Sequence, residues 1–415
     1  MSEVVSLRSI TSKIGSGATP KGGNAVYENS GIAFIRSQNV LDMNFSTQNL
    51  AYITNEQAKK LNNVIVENND ILLNITGDSI ARCTIVPDEL LPARVNQHVS
   101  IIRCISPDYA NYVCYYLQFL KPYLLQICKV GGTRNALTKE AVENLPIVIQ
   151  EEYKTIGKLL ATLDQKIALN NQINEELEAM AKTLYDYWFV QFDFPDENGN
   201  PYKSSGGKMV YNDQLKREIP EGWGVRQLGE ICEFRNGINY EKSETGDTLS
   251  KIVNVRNISN SSTFVTTYDL DSITLDRKRI ESYLVTDKTI LITRSGIPGA
   301  TRIVSDIQPN TIYSGFIIGA TVTNMNLFYY VFYHLKNIEL LMSNQSAGTI
   351  MKNISQTTLS EISIAIPNDE IQKKFSNQVC SLLDMIENNL KQNQELTQLR
   401  DWLLPMLMNG QVTVE

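Results

Sequence analysis

The sequence predicts an α+β protein built as an internal repeat: two mixed α/β lobes, each followed by a long helix. The two helices are expected to pair antiparallel as an intramolecular coiled coil about a pseudo-twofold axis. Three observations predict it. Shifting the 415-residue chain against itself by 219 positions brings separate segments into register. Short β-forming runs alternate with Gly, Asn and Asp turns early in each copy. Each copy then ends on a long segment with apolar residues three or four apart.

The repeat is carried by identities. Ile71, Leu72 and Gly77 fall on Ile290, Leu291 and Gly296. Farther on, Leu163, Ile167, Asn170, Asn174, Glu176, Leu177 and Leu184 meet Leu382, Ile386, Asn389, Asn393, Glu395, Leu396 and Leu403. With a slightly changed shift, the Gly-Thr-Arg-Asn run at 132–135 corresponds to Gly348, Thr349 and the residues that follow.

In chain order, the first lobe is placed at residues 1–150, with strands expected at 32–36, 71–75 and 99–104. Tyr112, Val113, Tyr116, Leu117, Leu120, Leu124 and Ile127 then recur at helical spacing. Residues 151–192 form the first long helix, with a seam of Leu163, Ile167, Asn170, Asn174, Leu177, Ala181, Leu184 and Trp188. Residues 193–220 are dense in Gly, Pro, Asn, Asp and Ser and read as a linker or wrapped loop. The second lobe, 221–367, repeats the pattern, with strands at 252–255, 289–293 and 316–322 and a helix whose apolar stripe includes His334. Residues 368–415 form the second long helix, with a seam running through Leu382, Ile386, Asn389, Asn393, Leu396, Arg400 and Leu403. At about 1.5 Å per residue each long helix would reach about 60 Å. Polar residues inside such a seam cost stability but fix register.

The net charge of -7 is unevenly spread. The lobes are near neutral, at +1 for residues 1–150 and zero for 216–367, whereas 151–215 carries -5 and 368–415 carries -3. Near-neutral lobes can still present basic faces to phosphates, while acidic helices repel DNA and suit protein partners. The six cysteines include no C-x-x-C pair, and His98 and His334 are the sole histidines, so a zinc site is not expected and buried reduced thiols are. The apolar runs are too short for a membrane span and the start does not resemble a secretory signal, so a cytoplasmic protein without membrane contact is expected.

Catalytic motifs are not found. The glycines before Lys21 stand in the wrong order for a phosphate-binding loop, and Gly206-Gly207-Lys208 is followed by Met209 rather than a hydroxyl residue. The chain has no N/D-P-P-Y/F tetrapeptide of an amino methyltransferase and no Gly-x-Ser-x-Gly. Pro195-Asp196 with Lys203 lacks the further acid of a metal nuclease and reads as a solvated loop.

The order lobe, helix, linker, lobe, helix resembles the specificity subunit of type I restriction-modification enzymes across nearly the whole chain. The local matches are Gly17-Ala18-Thr19-Pro20, Asp70-Ile71-Leu72-Leu73 with Gly77, Gly132-Thr133-Arg134, Gly348-Thr349, and the connector from Phe192 through Gly207 to Pro220-Glu221-Gly222-Trp223. The first copy departs from the pattern in lacking the Pro-x-Gly-Trp entry of the second. The resemblance implies a non-catalytic chain in which each lobe is a target recognition domain reading half of a bipartite DNA sequence. It implies helices that space the lobes and dock two copies of a modification subunit. S-adenosylmethionine, ATP and Mg would then sit on partner subunits, which could include an ATP-dependent restriction subunit, with no cofactor on this chain.

Base reading needs Arg or Lys for guanine and Asn or Gln for adenine, at loops and strand ends. In the first lobe the candidates are Arg36, Gln38, Asn39, Asn74, Thr76 and Arg82, then Thr133, Arg134 and Asn135, with Lys21 for phosphate. In the second they are Arg256, Asn257, Arg294, Ser295 and Arg302, then Thr349, Lys352 and Asn353. Arg134→Ala is expected to weaken or relax first-lobe recognition by about 1–3 kcal/mol, read by gel-shift titration across half-site variants. The alternative is a stand-alone sequence-specific DNA-binding regulator, which would bind tightly as an isolated chain. A purely structural coiled-coil adaptor explains the helices but not two elaborate lobes.

Overall fold

The computed structural model describes residues 3–128, 136–241, 243–345 and 354–414. The chain divides into two compact units, one made of Met1–Asn170 with Gln392–Glu415 and the other of Asn171–Lys391. Both long helices therefore contribute to both units. The linear division read from the sequence gave each helix a segment of its own, because periodicity marks elements and not the partners they pack against.

In the first unit, a four-stranded sheet runs in the order Thr11–Ser16, Val99–Cys104, Ile71–Asn74, Cys83–Ile85. A second sheet runs in the order Ala51–Ile53, Ile32–Ile35, Ala93–Val95, Ile65–Val66. The strand Ile71–Asn74 is buried on both faces, which is why it reads as an unbroken apolar run rather than an alternating one. Ile71 and Leu73 enter a core with the helix Pro107–Phe119, whereas Leu72 faces a core beneath the second sheet. The helix expected from Tyr112 to Ile127 breaks at Leu120, with Lys121–Ile127 as a separate helix. Pro122 accounts for the break, since it has no N–H to continue the ladder and is tolerated in a first helical turn.

The second unit repeats the plan. A five-stranded sheet has the order Cys232–Asn236, Ile317–Val322, Thr289–Thr293, Thr301–Ser305, Phe264–Thr266. A three-stranded sheet has the order Asp271–Leu275, Thr248–Val253, Thr311–Tyr313. Ile290 and Ile292 face one core and Leu291 the other, as their counterparts do in the first unit. The tyrosine of the following helix does the same work in each copy: Tyr112 Oη donates to Val148 O and Tyr330 Oη to Ala365 O, both at 2.6 Å. The entry strands also correspond. Glu3–Ser6 pairs antiparallel with Pro146–Ile149, and Gly224–Gln227 with Ser363–Ile366. The first copy thus makes its entry strand without the Pro-x-Gly-Trp sequence.

The first long helix spans Tyr153–Tyr185 and continues into a π turn at Asp186–Val190, and the second spans Asp369–Met408. They pair antiparallel where they meet in each unit, through Asp164 and Arg400 in the first and through Asn174 and Asn389 in the second. In the first unit, Gln150 Nε2 donates to the terminal carbonyls of Leu407 and Met408. The Gly/Pro-rich connector is not loose. Phe194 stacks on Trp223 at 5.2 Å, and Met209–Asn212 forms a hairpin with Arg217–Pro220, so the connector closes over the second unit's core.

All six cysteines are unpaired, four of them buried. Among the described residues there is no cluster of three metal-ligating side chains, and no helix is long and apolar enough to cross a membrane.

Candidate nucleic-acid interface

At one corner of each lobe, four chain segments are held by the same set of backbone hydrogen bonds. In the first lobe, Gly17 N donates to Val99 O, Ala18 N to Val95 O, Ile75 N to His98 O and Leu137 N to Ile75 O, at 2.9–3.1 Å. In the second lobe, Gly237 N donates to Ile317 O, Ile238 N to Tyr313 O, Arg294 N to Phe316 O and Ile354 N to Arg294 O, over the same 2.9–3.1 Å. The glycines are dictated by space. A Cβ on Gly17 would lie 2.1 Å from Val95 O, and one on Gly237 would lie 2.3 Å from Ser314 O and Tyr313 O. Gly77 and Gly296, the repeat partners on the next turn, hold φ of +79° and +85°, a region that favours glycine.

The side chains on this common scaffold differ. The first lobe carries a polar chain: Thr76 Oγ1 lies 2.6 Å from His98 Nδ1, Gln97 Nε2 lies 3.2 Å from His98 Nε2, and Thr19 Oγ1 donates to Gln97 Oε1. In the second lobe, the place of His98 is taken by Phe316, 64% exposed, with Ile297 exposed on the adjoining turn. Arg294 Nη1 donates to Gly315 O at 3.1 Å and braces the Phe316 turn from below.

The candidates among the described residues separate into three groups. Thr76, Arg294 and Ser295 stand at the corner. Lys21, Arg36, Gln38, Arg82 and Arg256 are exposed or half-buried on the lobes. Gln38 Nε2 and Arg36 Nη2 both donate to Asn49 O, and the Arg36 guanidinium lies 5.4 Å from the Tyr27 ring. Arg256 pairs with Asp271 at 2.5 Å. Asn39, Asn74, Asn257 and Arg302 are instead spent on the fold. Asn39 donates to Ser46 O and Gln48 O, and Asn74 to Ser37 O and Val40 O, and both are fully buried. Asn257 caps the turn begun by Asn254. Arg302, 8% exposed, binds Ser261 O and Glu339. Burial of its neighbour Lys336, reinforced by the Arg302 charge, pushes that ammonium down to about 8. Residues of these types at strand ends look alike in sequence whether they project or cap, because both roles need the same short-range hydrogen-bonding groups. Thr133, Arg134, Asn135, Thr349, Lys352 and Asn353 lie outside the described residues.

Sequence reasoning missed Gln97, His98 and Phe316 as site residues. No local signal in the sequence marked them, since Asn96-Gln97-His98 and Ser314-Gly315-Phe316 share no residue, and their correspondence appears only in the backbone bonds Ile75 N to His98 O and Arg294 N to Phe316 O.

Residues 2–179 and 220–398 match the family model of the type I restriction modification DNA specificity domain. The MjaIX specificity subunit of a type I restriction enzyme from Methanocaldococcus jannaschii is 27% identical over 275 residues, covering 65% of this chain and 61% of that protein. The chain therefore matches less than two thirds of that relative's length. The HindI specificity subunit from Haemophilus influenzae is 24% identical over 333 residues, 68% of this chain and 72% of that protein. The crystal structure of the S subunit of a type I restriction-modification system from M. genitalium superposes with a TM-score of 0.59 at 14% identity, over 97% of this chain and 95% of that one, so the fold is shared. With both halves of the repeat matched, the chain belongs to the type I restriction-modification DNA specificity family.

Proposed function

We propose that the chain is the DNA-reading subunit of a type I restriction-modification complex and carries no catalytic chemistry of its own. Each lobe reads one half of a bipartite duplex sequence. The observation that carries this reading is the corner described above: one backbone scaffold built twice with different side chains on it, as two readers of two different half-sites require. Base edges supply the specificity, and phosphate contacts from Lys21 and its like supply position. The acidic long helices face protein rather than DNA and dock two copies of a modification subunit. Those partners bring S-adenosylmethionine, and a restriction subunit brings ATP and Mg.

Co-expression with the methyltransferase partner, followed by mapping of methylated adenines in host DNA, tests the proposal. A split motif with a fixed gap is the expected result, and a continuous motif or no methylation overturns it. Tight, sequence-specific binding by the isolated chain without any methylation would favour the regulator instead.

A further inference from the structure

We infer that Phe316 reads a thymine methyl group in the second lobe's half-site, at the turn position where the first lobe presents His98. The inference rests on the DNA-reading proposal above and adds a contact and its chemistry.

The equivalence of the two positions comes from hydrogen bonds rather than from alignment. Ile75 N donates to His98 O at 3.0 Å and Arg294 N to Phe316 O at 2.9 Å, and Ile75 and Arg294 are themselves repeat partners. Phe316 is 64% exposed, yet its backbone is tightly held. Gly315 N donates to Ile238 O at 2.8 Å, Ile317 N to Ser314 O at 2.9 Å, and Gly237 N to Ile317 O at 2.9 Å. A single exposed apolar residue carries little meaning by itself. Here it sits on a rigid tip at the corner where the other lobe places its polar chain, and Ile297, on the turn that follows Arg294, is 48% exposed. A phenyl ring with two torsions on a fixed backbone loses little entropy when it is covered.

The chemistry narrows the target. Phenylalanine offers no donor or acceptor, and the apolar feature on a base edge in the major groove is the thymine C5-methyl. The first lobe's position is built for hydrogen bonding instead, with Gln97 beside His98 able to meet an adenine edge. The two half-sites are thus read at this position by different forces.

The test uses the complete complex with its partner subunits and duplexes carrying the mapped motif. Thymines of each half-site are replaced singly by uracil, which removes only the methyl group. The wild-type complex is expected to lose about fourfold in affinity at one thymine of one half-site, the value of one buried methyl group. Phe316→Ala is expected to bind the natural site more weakly and to be indifferent to that replacement, whereas Phe316→Leu, still apolar, retains sensitivity. His98→Ala should relax the opposite half-site and leave the uracil response intact. Indifference of the wild-type complex to every uracil, or unchanged uracil sensitivity in Phe316→Ala, overturns the inference. A wild-type complex with no split motif would instead defeat the DNA-reading proposal, so the two failures are distinguishable.

Discussion

Asn170 donates its side-chain amide to Asn393 Oδ1 at 2.8 Å in the first unit, and Asn389 donates to Asn174 Oδ1 at the same 2.8 Å in the second. The two bonds are images of each other under the 219-residue shift, which carries Asn170 onto Asn389 and Asn174 onto Asn393. Even the donor and acceptor roles are preserved. Within each unit, an antiparallel pairing of repeat-related helix segments in the same register produces this pattern.

Asn170→Ala removes one of these bonds, and also the bond from Asn170 to Gln392 Oε1, from a fully buried position. A loss of about 1–2 kcal/mol is expected in urea denaturation. Replacing Asn170 and Asn393 together by Leu should recover that loss, because an apolar pair leaves no buried amide, while weakening the preference for one helix register.

Asp164 and Arg400 form a partly buried ion pair at 2.6 Å, and Tyr115 Oη donates to the same carboxylate. The repeat partners of these two residues are Leu383 and Ala181, both buried and apolar, and Tyr333 Oη there is buried without a hydrogen-bond partner among the described residues. Arg400→Ala alone is expected to cost about 1–3 kcal/mol, because it strands Asp164 beside a tyrosine. The double change Asp164→Leu with Arg400→Ala transplants the apolar solution and should recover most of that loss. Thermal or urea unfolding of the single and double variants reads both outcomes.

His334 Nδ1 lies 3.0 Å from Tyr185 Oη, and burial, with the Arg217 charge adding to it, pushes the imidazole down to about 4. The unfolded chain takes up this proton near pH 6.5 and the folded one does not. The stabilisation is therefore complete above about pH 6.5 and is lost as pH falls toward 4, by up to about 3 kcal/mol. His334→Gln, which cannot take up a proton, should show a smaller loss of stability between pH 7 and pH 5 in urea titrations.

Helix length is expected to set the gap between half-sites. Inserting one heptad at matched positions in Tyr153–Tyr185 and Asp369–Met408 should lengthen the non-specific gap of the methylated motif, since each turn adds about 5.4 Å. Methylome sequencing reads the result, and an unchanged gap counts against that role for the helices.

The sequence by itself determined the repeat, the long helices and the strands at 71–75 and 289–293. Each is written in local periodicity: Ile71-Leu72-Leu73 and Ile290-Leu291-Ile292 as continuous apolar runs, and the helical seam as residues three and four apart with asparagines inside it. Tertiary structure alone decided which polar residues remain available. Asn74 and Thr76 stand two positions apart, yet Asn74 is consumed by the carbonyls of Ser37 and Val40 while Thr76 meets His98 at the corner. Tertiary structure also decided that both long helices belong to both units. A side chain's hydrogen-bond partners come from segments tens of residues away, brought near by core burial, and no local pattern encodes that arrival.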